Sequence, residues 1–409
     1  MLQKADSDLV RRHNRGLVLE TLRQHGPMAR VSLGQVTGLS PASITSISAS
    51  MLSEGLLRIE GGAFAGKHGQ RGRPQTRLAL NPLAAFVIAL AISADGIKLA
   101  IADFAGKVIS SVQLDINTFD LEAEAFAPLI AAQIRAYAEH HGPPLSKIAR
   151  ISIAIQGVAD TNEGTIAWSP AFAARDIPVS RPIAKLLGIP CVIANNANRI
   201  ADGLLAENPA KYGDTTAVIF LGHGVGLGLI LDGKVFEGAS GRASEFGHMN
   251  HDPAGPLCRC GMHGCLEAFS ADYGILRMAR GGNDEDVGIH KPVPAGLMEA
   301  LQRSAEDGEP RARHAYERAG EVLGFGVARL IALINPKLVV FTGPGTSAFH
   351  LMRASLEQAL SRALVHDLRK DVTIEVVTGD RDLIVAGTLM DALHHLDREV
   401  FAVAAPAAD

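Results

Sequence analysis

The sequence predicts an α/β protein in two parts, an N-terminal winged helix-turn-helix over residues 1–65 and a larger two-lobed body. Three observations lead there. Residues 1–80 carry eleven Lys and Arg against five Asp and Glu, net +6, whereas the whole chain is −4, so the remainder carries −10. A basic module on an acidic body is the charge split of a nucleic-acid reader joined to a separate soluble unit. A strand-turn-strand-turn-strand pattern, followed by a helix and another strand, occurs twice in the body. Finally, 409 residues at 47% hydrophobic and 20% charged exceed one ordinary domain and can bury a large core.

In the head, Val18, Leu19 and Leu22 form one helical stripe ended by Gly26-Pro27. A second short helix is expected around Leu33 and Val36, closed by Gly38. For a third, Ser40 supplies the cap, Pro41 fits the first turn, and Ile44, Ile47 and Met51 recur on one face. Leu56, Leu57 and Ile59, then residues 76–80, read as the two strands of a wing. The third helix would enter a major groove with Ser40, Ala42, Ser43, Thr45 and Ser46 toward the bases. None of these is an Arg or Asn able to make a bidentate base contact, so direct readout is expected to be weak.

Residues 66–82 form a basic wing or linker. Within it Arg71-Gly72-Arg73-Pro74 matches the core of an AT-hook, whose flat guanidinium groups suit a narrow A·T-rich minor groove. A solvated linker is the other reading of this tetrapeptide. The partner expected is double-stranded DNA with an A·T-rich palindromic operator, bound by a homodimer or a dimer of dimers.

In the body, strands are expected at 86–93, 97–104 and 107–116, with turns at Asp95-Gly96 and Ala105-Gly106, a helix up to His141, and a strand at 148–155. The pattern returns with strands at 216–221, 226–231 and 234–236, a helix at 320–334 and a strand at 338–342. Lobe 1 is placed at 83–195, completed by a C-terminal helix near 381–398, and lobe 2 at 196–380. The most apolar stretch, 86–101, is broken by Ser93, Asp95 and Lys98, so no membrane span is expected. Residues 1–8 hold no apolar run, and a cytoplasmic location is the expectation.

Cys258, Cys260 and Cys265 lie within eight positions, with His248 ten residues upstream. Three thiolates and an imidazole are the donor set of a closed tetrahedral zinc site, and Gly261 and Gly264 allow the tight turns it needs. Such a zinc would be structural, because no position stays open for water. Ordinary thiols, with one pair as a disulfide, are the alternative; Cys191 is the only other cysteine.

The segment Glu245-Phe-Gly-His248-Met with Cys258-Arg-Cys260-Gly-Met-His-Gly-Cys265-Leu-Glu267 resembles the signature of the ROK family of repressors and sugar kinases. The resemblance runs from about Phe86 onward and implies a two-lobed actin-like ATPase fold with a ligand cleft between the lobes. It implies that His248, Cys258, Cys260 and Cys265 hold zinc, and that Glu245, His248 and Glu267, with Asn195 and Asn196, contact a sugar. The basic Gly-Arg-Pro linker is similar to that of the family's repressors.

Family kinases place a general base in an Asn-Asp-x-Asn segment. Here Asn195-Asn196-Ala197-Asn198 puts an amide at the base position, and an amide has no usable basicity near neutral pH. The first phosphate loop of the family, Asp-x-Gly-Gly-Thr, corresponds to a stretch led by Ala91; in the second, His223 and Leu227 replace a threonine and a glycine. A family Ser-Pro-Asn reads Ser169-Pro170-Ala171, which removes one hydroxyl contact and leaves the effector open. Trp168 could stack on a sugar ring or belong to the core. The implied function is a sugar-responsive transcriptional regulator of the repressor branch, with no enzymatic activity. The rivals are a sugar kinase carrying a DNA-binding head and a zinc-stabilised interaction protein with a vestigial cleft.

Overall fold

The computed structural model describes residues 7–60, 76–282, 292–378 and 382–402. Arg71 and Arg73 lie outside the described residues.

The N-terminal part packs three helices, α1 (Ser7–His25), α2 (Arg30–Thr37) and α3 (Pro41–Ser53), against a small antiparallel sheet. Its strands are β1 (Met28–Ala29), β2 (Leu57–Glu60) and β3 (Arg77–Leu80), in the order β1-β3-β2. Ser40 Oγ accepts the Ser43 N–H at 3.1 Å and starts α3, which buries Ile44, Ile47 and Met51. Gly38, at φ 70°, makes the left-handed turn between α2 and α3. Val36, expected to pack, is instead 52% exposed, and Leu33 anchors α2. The strand β1 has no signal in the sequence because two residues cannot show an alternation.

The body begins with β4 (Phe86–Ser93), β5 (Gly96–Asp103), β6 (Val108–Leu114), α4 (Ala123–His141) and β7 (Ile148–Ile155). A small sheet follows, β8 (Val158–Asp160), β9 (Thr165–Trp168) and β10 (Ile177–Pro178), then α5 (Ser180–Leu187), β11 (Cys191–Asn195), α6 (Asn196–Glu207) and α7 (Pro209–Tyr212). The second unit runs through β12 (Thr216–Leu221), β13 (Val225–Leu231), β14 (Lys234–Val235), α8 (Leu266–Ser270), α9 (Asp272–Ala279), α10 (Ala295–Glu306) and α11 (Pro310–Ile334). It ends with β15 (Leu338–Thr342), α12 (Phe349–Ala363), α13 (His366–Lys370), β16 (Thr373–Val377) and α14 (Leu383–His395).

The large sheets are ordered β11-β7-β4-β5-β6 and β14-β13-β12-β15-β16. Each is an antiparallel meander of three strands extended by two parallel ones, in the same order, so the repeat suggested by the sequence pattern is a duplicated topology. β4 and β7 are buried along nearly their whole length because helices cover both faces, which explains their continuous apolar character.

The units exchange their last helices. α6 leaves the first sheet and packs on β12 and β13, and α14 leaves the second sheet and packs on β4 and β7. Where α6 and α14 cross, Gly203 and Gly387 face each other: a Cβ on Gly387 would lie 1.5 Å from the Arg199 carbonyl oxygen, and one on Gly203 would lie 3.2 Å from Gly387 Cα. Only glycine lets the two backbones come this close.

The head is not a free appendage. Val18, Leu19 and Leu22 of α1 share one core with Phe104, Leu389, Leu393 and Leu396. Arg23 pairs with Asp397 through two bonds of 2.7 and 2.8 Å and also donates to the Phe104 carbonyl, while fully buried Arg15 pairs with Glu54 and donates to the Phe401 carbonyl. Among the described residues no helix is long and apolar enough to cross a membrane.

The crossing sets a stability test. Gly387→Ala is expected to cost about 3 kcal/mol or more, because the atom it meets is backbone and the helices must separate, whereas Gly203→Ala should cost about 1 kcal/mol. Denaturant unfolding of both variants checks the order, and an undisturbed Gly387→Ala protein would contradict the packing described.

Candidate functional site

The cleft between the two sheets has a volume of about 540 Å³ and takes walls from both units. Asp95, Gln156, Trp168, Asn195 and Asn196 come from the first; His223, Gly224, Glu245, His248 and Glu267 come from the second. The expected sugar residues are therefore brought together on one surface.

Behind this wall, the ligand atoms of His248, Cys258, Cys260 and Cys265 all lie within 4.8 Å of one another. Cys258 N–H donates to the Met262 carbonyl and Gly261 N–H to the Cys258 carbonyl, forming a tight turn. Gly264, at φ 72°, has no room for a side chain, since a Cβ would fall 1.5 Å from the Asp252 carbonyl oxygen. All four cysteines are free thiols, and Cys260 Sγ and Cys265 Sγ sit 3.7 Å apart, well beyond a disulfide bond. His248 turns Nδ1 toward Cys258 Sγ at 3.6 Å and Nε2 toward Glu245 at 4.0 Å, so one ring faces both cluster and cleft. The donor set fits a metal ion: without a cation, the hydrogen bond with Cys260 and burial push the Cys258 thiol up, while Cys258 and His248 hold Cys260 down. A dication would let all three ionise.

Glu267 is held in place by its neighbours. Oε2 accepts the Val225 N–H at 3.1 Å, Oε1 lies 3.4 Å from the Tyr273 hydroxyl, and that hydroxyl reaches Cys258 Sγ at 3.5 Å. The cluster, the carboxylate and the β12–β13 turn are thus one mechanical unit. Trp168 meets the His248 ring edge to face at 5.4 Å, which places it on the cleft wall and not in the core. Asn195, also on the cleft wall, has a structural job: Oδ1 caps α6 by accepting Ala197 N–H at 2.7 Å, and Nδ2 donates to the Gly157 carbonyl at 2.6 Å. Asn196 is left with a buried Oδ1 that has no partner.

The ROK family profile matches residues 87–388, about three quarters of the sequence. The chain belongs to the ROK family. A putative xylose repressor of Caldicellulosiruptor sp. (strain Rt8B.4) is 28% identical over 382 residues, 89% of this chain and 92% of that protein. The DNA-binding transcriptional repressor Mlc of Escherichia coli (strain K12) is 25% identical over 404 residues, 96% of each. The crystal structure of a ROK family transcriptional regulator, a homolog of E. coli Mlc, aligns at a TM-score of 0.75 and 24% identity, over 96% of this chain and 99% of that one, which shows the shared fold.

Within this ROK fold the head presents Ser40, Ala42, Thr45 and Ser46 on the exposed side of α3. Ser43 is half-buried with its hydroxyl 2.9 Å from that of Ser40, and the Thr45 hydroxyl bonds back to the Pro41 carbonyl. Three of the expected base-facing hydroxyls, those of Ser40, Ser43 and Thr45, are thus already engaged locally.

Sequence reasoning missed the contact that closes the far end of the ROK cleft. His223, which the sequence shows only as the replacement of a loop threonine, bridges the units: Nε2 is 2.8 Å from Asp95 on the β4–β5 turn, and Nδ1 is 3.2 Å from Asp272 at the start of α9. Burial alone would lower the His223 pKa, but Asp272 and Asp95 outweigh it and raise it to about 9. The turn at Asp95-Gly96 was legible; its partner, 128 residues away, carried no signal.

A pKa raised from 6.5 to about 9 means that the bridge contributes its full stability below pH 6.5 and loses it as pH rises through 9. His223→Gln is therefore expected to flatten the pH dependence of unfolding between about pH 6 and pH 10, with a loss of about 1–3 kcal/mol at the acidic end only. An identical slope in variant and parent would exclude the bridge.

Proposed function

We propose that this protein is a sugar-responsive transcriptional repressor whose body binds a sugar or sugar derivative without transforming it. The observation that carries the reading is Asn196. Phosphoryl transfer to a hydroxyl needs a base within reach, and at this position the side chain is an amide whose Oδ1 is buried and unpartnered. Two further features support it: relatives at 25 and 28% identity are named as repressors, and the head has the helix order of a winged helix-turn-helix, with β2 and β3 as wing. The DNA contacts proposed are Ser40, Ala42, Ser43, Thr45 and Ser46 of the recognition helix, with Arg71 and Arg73 following into the minor groove of an A·T-rich palindrome. A two-headed homodimer would span half-sites about 34 Å apart.

The sugar contacts proposed are Asn195, Asn196, Glu245, His248 and Glu267, with Asn195 also holding the α6 end that carries Asn196. Sugar binding would bias lobe closure, and only a difference in affinity between the two closure states can move the heads. The test pairs two assays on the full chain. Operator DNA is expected to be retained without sugar and released with it, and incubation with ATP and hexoses is expected to yield no sugar phosphate. Hexose-dependent turnover abolished by Asn196→Ala would establish the kinase instead.

Zinc is the metal proposed for His248, Cys258, Cys260 and Cys265, since three thiolates and an imidazole favour it. Four protein ligands leave no open position, so the ion would fold the segment that aims Glu245, His248 and Glu267. Cys258→Ser is expected to lower metal content and to weaken thermal stability by several degrees. Full metal occupancy with unchanged melting would exclude the site.

A further inference from the structure

Glu245 belongs to the second unit, yet the segment that leads to it is held by the first. Residues 237–244 follow β14 and close on themselves where the Ala243 N–H donates to the Glu237 carbonyl at 3.2 Å. They lie on the turn that joins β8 to β9. There the Thr161 N–H donates to the Ser240 carbonyl at 3.1 Å, Asn162 Nδ2 donates to the Ala239 carbonyl at 3.3 Å, and Arg242 Nη2 donates to Asp160 Oδ2 at 2.6 Å. The approach is close: a Cβ on Gly241 would fall 2.3 Å from Thr161 Cγ2. Asp160 is buried, and its Oδ1 accepts the Asn162 and Glu163 N–H groups at 3.0 and 2.9 Å, which fixes the carboxylate and leaves Oδ2 to the guanidinium.

Both sides of this contact run directly into the walls of the cleft. β8 and β9 form one hairpin, and Trp168, at its other end, lines the cleft against His248. On the second unit, Ser244 lines the cleft in the left-handed region at φ 70°, and Glu245 follows it. A non-glycine residue keeps that conformation only where the surrounding contacts impose it.

We propose that Asp160 and Arg242 are positioning residues of the cleft: their ion pair latches residues 237–244 to the β8–β9 hairpin, so that Glu245 and Trp168, from different units, face one ligand at a fixed separation. Neither residue lines the cleft itself. The arginine side chain is 48% exposed, so the latch releases without disturbing the buried core of either unit. The ligand half of this proposal rests on the sensor reading above; the latch itself does not.

Trp168 is the only tryptophan in the chain, so its fluorescence reports the latch without any ligand. In the full chain, Arg242→Gln and Asp160→Asn, which keeps an oxygen for the turn, are each expected to raise acrylamide quenching of Trp168 by about half or more, and their combination no further. Calorimetric titration with D-glucose, D-xylose and N-acetyl-D-glucosamine should show any sugar that the parent binds held about twofold to fivefold more weakly by Arg242→Gln. Quenching in Arg242→Gln equal to the parent's, rises that add in the double variant, or an unchanged affinity for a sugar that the parent binds overturns the latch and leaves the sensor reading standing. A parent that binds none of the three sugars counts against the sensor reading, and quenching then decides the latch.

Discussion

The crossing of α6 and α14 is the constraint on which the rest of the molecule depends. Each helix belongs by sequence to one unit and packs on the other, and the contact at Gly203 and Gly387 is backbone against backbone. Around it, buried Arg199 reaches Asp202 and Asp391 at 2.6 Å each and Glu237 at 3.6 Å, and Ser152 of β7 donates to Asp391. Burial disfavours the Arg199 charge, yet its three carboxylates keep its pKa raised overall. A guanidinium buried this deeply persists only while all of those partners stay in place, and removing one member of such a set typically costs about 3–5 kcal/mol. The network therefore ties the first sheet, the second sheet and both crossing helices into a single arrangement.

That arrangement explains where the chemistry sits. Since α6 starts at the end of β11, its N-terminus delivers Asn196 to the cleft, and since α14 starts beyond β16, its N-terminus delivers Asp382 to the opposite side. The cysteine segment is inserted after the β12–β13–β14 meander of the second unit, which brings His248 and Glu267 up against the β13 turn. Glu267 then serves two purposes, since the oxygen that accepts the Val225 N–H also fixes the carboxylate on the cleft wall.

How much of this was legible in the sequence follows from the range of each interaction. Strands such as β4 and β12, the helix α3 with its Ser40 cap, and the four clustered N/S donors are local patterns, and local patterns survive in one dimension. The small β1 strand, the Asp95–His223–Asp272 bridge and the pairing of Arg23 with Asp397 are not local. Arg23 and Asp397 are 374 residues apart and look like two ordinary surface charges until the fold buries them to 4% and 0% side-chain exposure. The capping role of Asn195 was not legible for another reason: its amide suits both a sugar and a helix cap, and only the geometry of the β11–α6 junction shows that it caps as well as lining the cleft.

The same long-range contacts determine what a ligand in the cleft could do to the head. α14 begins at the cleft with Leu383 and Ile384 and ends in a π-helical turn, Leu396–Val400, whose Asp397 holds Arg23 of α1. Arg15 extends the contact to the Phe401 carbonyl while keeping Glu54 at the end of α3 in place. Head and first unit therefore share a continuous core and two buried arginine anchors, in contrast to heads tethered by a flexible linker. A rigid connection of this kind would carry any displacement of α14 to the head without needing a residue between cleft and head to change shape.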